Sequence, residues 1–84
     1  MKLYRIDQIE HILRSYDPIG LIAVGAPDDE YREEARLIAN LNINDPKILA
    51  EEIYKIFVHQ FDEESAGGRV NYSKIAEEIS AMQN

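Results

Sequence analysis

The segment DPKILAEEIYKIFVHQF, residues 45–61, decides the fold of this chain. Asp45 suits a helix N-cap, and Pro46 suits the first turn because its missing amide hydrogen would have no partner there. Glu51 is expected to pair with Lys55 one turn later. Apolar side chains at helical spacing form one broad stripe: Leu49, Ile53, Ile56, Phe57 and Phe61. The segment therefore predicts a helix over residues 46–61 at the centre of the core.

A second amphipathic segment lies at the start of the chain and predicts a helix over residues 5–16. Asp17 and Pro18 end this helix, because the residue before a proline avoids the helical region and proline has no amide donor. The apolar residues of the stripe are Ile6, Ile9, Ile12, Leu13 and Tyr16.

Two further helices complete the prediction. Pro27 and the acids of residues 28–30 favour a helix start, so a helix is expected over residues 27–41. After a polar connection, DEESAGGR, apolar residues define a fourth helix: Tyr72, Ile75, Ile79 and Met82. The expected fold is all-α, a compact single-domain bundle of four helices over residues 1–84.

The expected loop between the first two helices, DPIGLIAVGAP, residues 17–27, is unusually apolar for a connection. We expect it to pack against the helices. A short strand over residues 21–24 is the less favoured alternative, because a single strand without a pairing partner is unstable.

Charge and composition limit the classes of function. Sixteen acidic and nine basic residues give a net charge of −7, distributed along the chain. Such a field repels nucleic acids and anionic membranes. Solubility is the first interpretation of the acidity, and faster encounter with a basic protein partner is the second. No cysteine is present, and no segment has the roughly 20 apolar residues of a membrane span. We therefore expect a cytoplasmic protein that binds neither nucleic acid nor membrane, with homodimerisation left open.

No residue is assigned a catalytic, metal-binding or cofactor-binding role. His11 and His59 fall on polar helix faces, where solvated histidines are expected, although Asp7 stands one turn before His11. The Gly67–Gly68 pair before Arg69 lacks the spacing and lysine of a phosphate-binding P-loop, and a surface connection is the preferred interpretation. The sequence does not predict an enzyme.

Glu34 is the acidic residue that the helix dipole does not explain. It lies within an apolar stripe that includes Tyr31 and Ile38, where an uncompensated carboxylate is costly. Three explanations compete: the side chain reaches solvent at the edge of the bundle, binds amides of the DPIGL loop, or contacts a partner. We favour the internal hydrogen bond.

The motif YDPIGL, residues 16–21, followed by DDEY, residues 28–31, and Glu34, resembles the YugE-like family of small bacterial proteins. Related sequences also resemble immunity proteins that bind and block bacterial toxins. This chain differs from the family pattern in having Tyr16 in place of a common tryptophan, Arg32 in place of a frequent acid, and a longer loop. The resemblance implies these signature residues: Asp17, Pro18, Gly20, Asp29, Glu30, Tyr31 and Glu34.

The signature has two interpretations. Pro18 and Gly20 shape a turn whose free amides could be bound by the carboxylate of Glu30 or Glu34, which makes a fold-maintaining role the first choice. A partner-binding surface is the second, since loops also carry recognition. The leading functional hypothesis is a protein–protein interaction, such as toxin neutralisation. The alternative is a housekeeping or regulatory domain that binds a small molecule or metal.

Overall fold

The computed structural model describes residues 6–20, 25 and 31–82. These residues form five helices and contain no strand, which confirms the all-α prediction. The helices are α1 (Ile6–Tyr16), α2 (Arg32–Ala39), α3 (Pro46–Gln60), α4 (Glu63–Ala66) and α5 (Val70–Ala81). The apolar loop and its strand alternative, residues 21–24, lie outside the described residues, as does the predicted start of the second helix at residues 27–30.

The four longer helices surround one core. Contacts run from α1 to α2, from α2 to α3, from α3 to α5 and from α5 back to α1, while α4 packs against α3. The radius of gyration is 11.7 Å, close to the roughly 12 Å expected for a compact chain of this length. The core is continuous across all five helices, and its largest fully buried side chains are Tyr31, Tyr72, Phe57, Ile9, Leu13, Ile38, Leu49, Ile53, Ile75 and Ile79.

Local signals set the end of α1 and the start of α3. Asp17 follows α1 with φ of +48°, a left-handed conformation that ends the right-handed helix before Pro18. The Asp45 carboxylate accepts a hydrogen bond from the Lys47 amide at 2.9 Å and caps α3. Both boundaries agree with the sequence prediction.

The connection over residues 62–69 is not wholly irregular, because it contains the single turn α4. The Asp62 carboxylate accepts a hydrogen bond from the Ser65 amide at 2.6 Å, and this bond lowers the pKa of Asp62. Gly67 then ends the turn with φ of +78°, a conformation that favours glycine. The bundle of four helices therefore carries a short fifth one.

The expected pair between Glu51 and Lys55 is wrong. The Lys55 ammonium instead lies 3.1 Å from Glu52, one residue closer along α3. Glu51 pairs at 3.1 Å with Arg69, 18 residues away, where the polar connection leads into α5. Tertiary packing thus decides between ion pairs that the helical spacing alone allows equally.

Phe57 is the central aromatic residue of the core. Its ring centroid lies 5.3 Å from that of Tyr72 on α5, 6.1 Å from that of Tyr31 before α2, and 5.8 Å from that of Phe61. These separations are within the range in which aromatic pairs attract one another. Phe57 therefore joins the two buried tyrosines to α3.

The buried Tyr72 carries a hydroxyl that donates a hydrogen bond to the Ala66 carbonyl at 2.6 Å. This contact ties the end of α4 to α5. Burial, together with the nearby Tyr54, raises the pKa of Tyr72 to about 12.

Replacing Phe57 with alanine is expected to lower the free energy of unfolding by about 3–5 kcal/mol, because it leaves a cavity and removes three aromatic contacts. Urea denaturation followed by circular dichroism measures the change. Ile48→Ala is the control, since Ile48 is 53% exposed and should change stability by about 0.5 kcal/mol or less. Equal losses in the two variants would contradict the central position of Phe57.

The raised pKa of Tyr72 predicts a loss of stability at alkaline pH. Below the usual tyrosine pKa of 10.0 both folded and unfolded chains keep the phenol neutral, so its contribution is complete there. Between that value and about 12 the unfolded chain ionises while the folded chain does not, and the contribution falls as the pH rises. Urea denaturation from pH 8 to 11 should show the stability advantage of wild type over Tyr72→Phe shrinking. A difference that is constant with pH would contradict the assignment.

Candidate functional site

The described part of the signature lies where α1 ends and α2 begins. Asp17, Pro18 and Gly20 follow α1, Tyr31 directly precedes α2, and Glu34 lies within the first turn of α2. The structure brings the two ends of the motif together, whereas Asp29 and Glu30 lie outside the described residues.

The turn after α1 is closed by backbone hydrogen bonds. The Asp17 amide donates to the Leu13 carbonyl at 2.7 Å, and the Gly20 amide donates to the Asp17 carbonyl at 3.0 Å. Pro18 occupies the second position of this four-residue turn, where its fixed φ is favourable. Gly20 has φ of +80°, which a side chain would strain.

The Tyr31 hydroxyl links this turn to the core. It donates a hydrogen bond to Asp17 Oδ1 at 2.6 Å and accepts one from the Ile19 amide at 3.2 Å. The ring below it is fully buried and packs against Phe57. A single side chain therefore fixes the turn relative to α3.

The buried position of Glu34 argues against two of the three explanations for this residue, solvent exposure and contact with a partner. Its exposed fraction is 4%, so the side chain does not reach solvent at the edge of the bundle. The same burial leaves it inaccessible to a partner in this conformation. The amides of Ile19 and Gly20 are bound by the Tyr31 hydroxyl and the Asp17 carbonyl, so Glu34 is not the group that binds these two loop amides.

Tyr31 is a signature residue, but the hydrogen bonds to the turn were expected from Glu30 or Glu34. The missed signal is that Tyr31 falls on the apolar stripe of its helix, and a buried tyrosine usually finds a partner for its hydroxyl. Asp17, with both carboxylate and amide near the turn, was the available acceptor. The geometry shows that Asp17 and Tyr31 use their polar groups to hold the loop.

Arg32 makes an ion pair beside the turn. Its guanidinium lies 2.9 Å from the Glu10 carboxylate, and the Glu10 side chain is 12% exposed. This ion pair joins α2 to α1 beside the turn. A second link is made by Tyr16, whose hydroxyl donates to Glu78 on α5 and whose pKa is raised by that hydrogen bond.

The other candidate groups are dispersed. His11 and His59 are both exposed, on different helices. Within the described residues, no group of three or more histidine and acidic side chains is placed to hold a metal ion. The Arg69 guanidinium pairs with Glu51 and lies 5.1 Å from the centre of the Tyr54 ring, so it holds the connection against α3.

Comparison of the chain with protein-family models, with curated proteins and with solved structures finds no match. Among the helices of the described ranges, none has both the length and the apolar character needed to cross a membrane.

Tyr31→Phe is expected to lower the free energy of unfolding by about 1.5–3 kcal/mol, because a hydrogen bond to a carboxylate is lost and the Ile19 amide loses its acceptor. Tyr54→Phe is the matched control. For Tyr54, the described part of the chain shows ring contacts but no hydrogen bond of the hydroxyl, so the change should be about 0.5 kcal/mol or less. Urea denaturation that gives equal values for both variants would contradict the role of the Tyr31 hydroxyl.

Proposed function

We propose that this chain is a non-enzymatic cytoplasmic bacterial protein of the YugE-like type that acts by binding a basic protein, in the manner of an immunity protein that blocks a toxin. One observation carries the proposal. Three consecutive acidic side chains, Asp62, Glu63 and Glu64, are exposed at one end of the bundle, and in the described part of the chain none of them is in an ion pair.

The charge of this acidic end is well defined. The lowered pKa of Asp62 keeps that carboxylate ionised well below neutral pH. The buried contact between Tyr72 and Ala66 holds α4 against the bundle, so the backbone that carries the acidic side chains is fixed in place. A fixed cluster of negative charge on a chain of net charge −7 accelerates the encounter with a positively charged partner.

The signature turn supports the proposal in a different way. Tyr31 and Asp17 are joined by a hydrogen bond that fixes the turn at the end of α1 relative to the start of α2. Restrained loops lose less conformational entropy when they bind a partner. We therefore assign the signature a supporting role and place the contact with a basic partner at α4.

The test uses tagged protein as bait in an extract of the native cells, at about 50 and 300 mM salt, with mass spectrometry of the retained proteins. We expect a basic protein that is lost at the higher salt. With that protein purified, Glu63→Gln/Glu64→Gln should lower the association rate constant by about three- to tenfold. Asp62 is left unchanged because it caps α4.

Glu33→Gln/Glu52→Gln is the matched control, since it removes the same charge from α2 and α3, where each acid pairs only within its own helix. An equal effect of both double variants would place the contact elsewhere. Failure to retain a basic protein at either salt concentration would contradict the proposal, and a specific thermal shift with a metal or small molecule would favour the ligand-binding alternative. The immunity role further predicts a neighbouring toxin gene whose product is neutralised on co-expression.

A further inference from the structure

A groove of about 350 Å³ runs between the outer faces of α3 and α5, away from the acidic end. Ala50 on α3 and Ser73 on α5 are among the residues that line it, and their small side chains leave space between the helices. Four charged residues also line the groove: Lys47, Glu51, Arg69 and Glu77.

These four charges alternate in sign. The two helices run antiparallel, because the Ser80 hydroxyl near the end of α5 donates to the Asn44 carbonyl before α3 at 3.0 Å. Glu51 and Arg69 form their ion pair toward one end of the groove, and Lys47 and Glu77 lie toward the other. Each wall of the groove therefore carries one cation and one anion, in opposite order, with Arg69 directly before α5.

Lys47 and Glu77 differ from Glu51 and Arg69, which already pair with each other. Both residues are exposed, and neither has an ion-pair partner in the described ranges of the chain. Among the described residues that line the groove, Lys47 is thus a cation and Glu77 an anion without an ion-pair partner, and they lie on opposite walls.

We propose that this groove binds a second copy of the chain, related by a two-fold axis parallel to the groove. That rotation exchanges the walls formed by α3 and α5. It places Lys47 opposite Glu77 of the partner subunit, twice in each dimer, and Glu51 opposite Arg69 of the partner subunit. No like charges face each other. The surface is therefore complementary to itself, as a two-fold interface requires.

The chemistry of the surface favours a second copy over a basic partner. Two chains of net charge −7 repel each other over most of their surfaces. At the groove, two cations and two anions sum to zero, so the contact surfaces themselves add nothing to this repulsion. A strongly basic protein would gain nothing at this neutral patch. The inference is independent of the proposed function, because the acidic run on α4 does not line the groove.

Sedimentation velocity at about 5 to 500 µM tests the proposal, since weak interfaces associate in this range. We expect the average mass to rise from 9.7 kDa toward twice that value. Lys47→Glu and Glu77→Lys should each raise the dissociation constant about tenfold, because each breaks two symmetric pairs and creates repulsion. The charge exchange Lys47→Glu/Glu77→Lys should return it to within about threefold of wild type.

Glu64→Lys is the control for net charge. It makes the chain less acidic by the same amount as Glu77→Lys but lies outside the groove, so it should leave the dissociation constant unchanged or lower it. If Glu77→Lys weakens the dimer and Glu64→Lys does not, the loss is due to the pair between Lys47 and Glu77 and not to net charge. Circular dichroism verifies that each variant is folded.

Three results would overturn the proposal. The first is a chain that remains monomeric up to the highest concentration. The second is a dimer that both single variants leave unchanged. The third is a dimer whose affinity is restored by Lys47→Glu/Glu51→Lys and not by Lys47→Glu/Glu77→Lys. That result would mean that Lys47 faces Glu51 of the partner subunit, as it does when the two-fold axis runs across the groove.

Discussion

The contact of Phe57 with the two buried tyrosines is the constraint on which the rest of the structure depends. Phe57 lies on the central helix, while Tyr31 and Tyr72 arrive from segments on either side of it in the sequence. Burying three aromatic rings at one point gives the bundle much of its apolar contact and fixes how α2 and α5 lie against α3. Helices held only by smaller aliphatic side chains would have more freedom to shift.

Each buried tyrosine also carries a polar group into the protein and uses it to position a connection. The Tyr31 hydroxyl holds the turn after α1 through Asp17 and Ile19, and the Tyr72 hydroxyl holds the end of α4 through Ala66. An unpaired buried hydroxyl would be unfavourable, so these bonds are a requirement of burial as much as a source of order. The buried tyrosines of the core therefore also position the connections.

The same packing divides the charges of the surface into regions with different properties. Arg69 is drawn to Glu51 and Tyr54, which leaves the neighbouring acids of α4 without that cation and keeps their end of the bundle negative. Along the groove between α3 and α5 the charges balance. The surface therefore carries an acidic end at α4 and a groove of balanced charge between α3 and α5.

The sequence by itself determined the helical class, the end of α1 and the start of α3, because proline, capping residues and apolar spacing act over one or two turns. It also identified Asp17 and Tyr31 as members of one motif. Only the tertiary structure decided that they bond to each other across 14 residues, that Glu34 is buried, and that Glu51 pairs with Arg69 instead of Lys55. The spacing along a helix allows several such pairs, and the packing of distant segments selects among them.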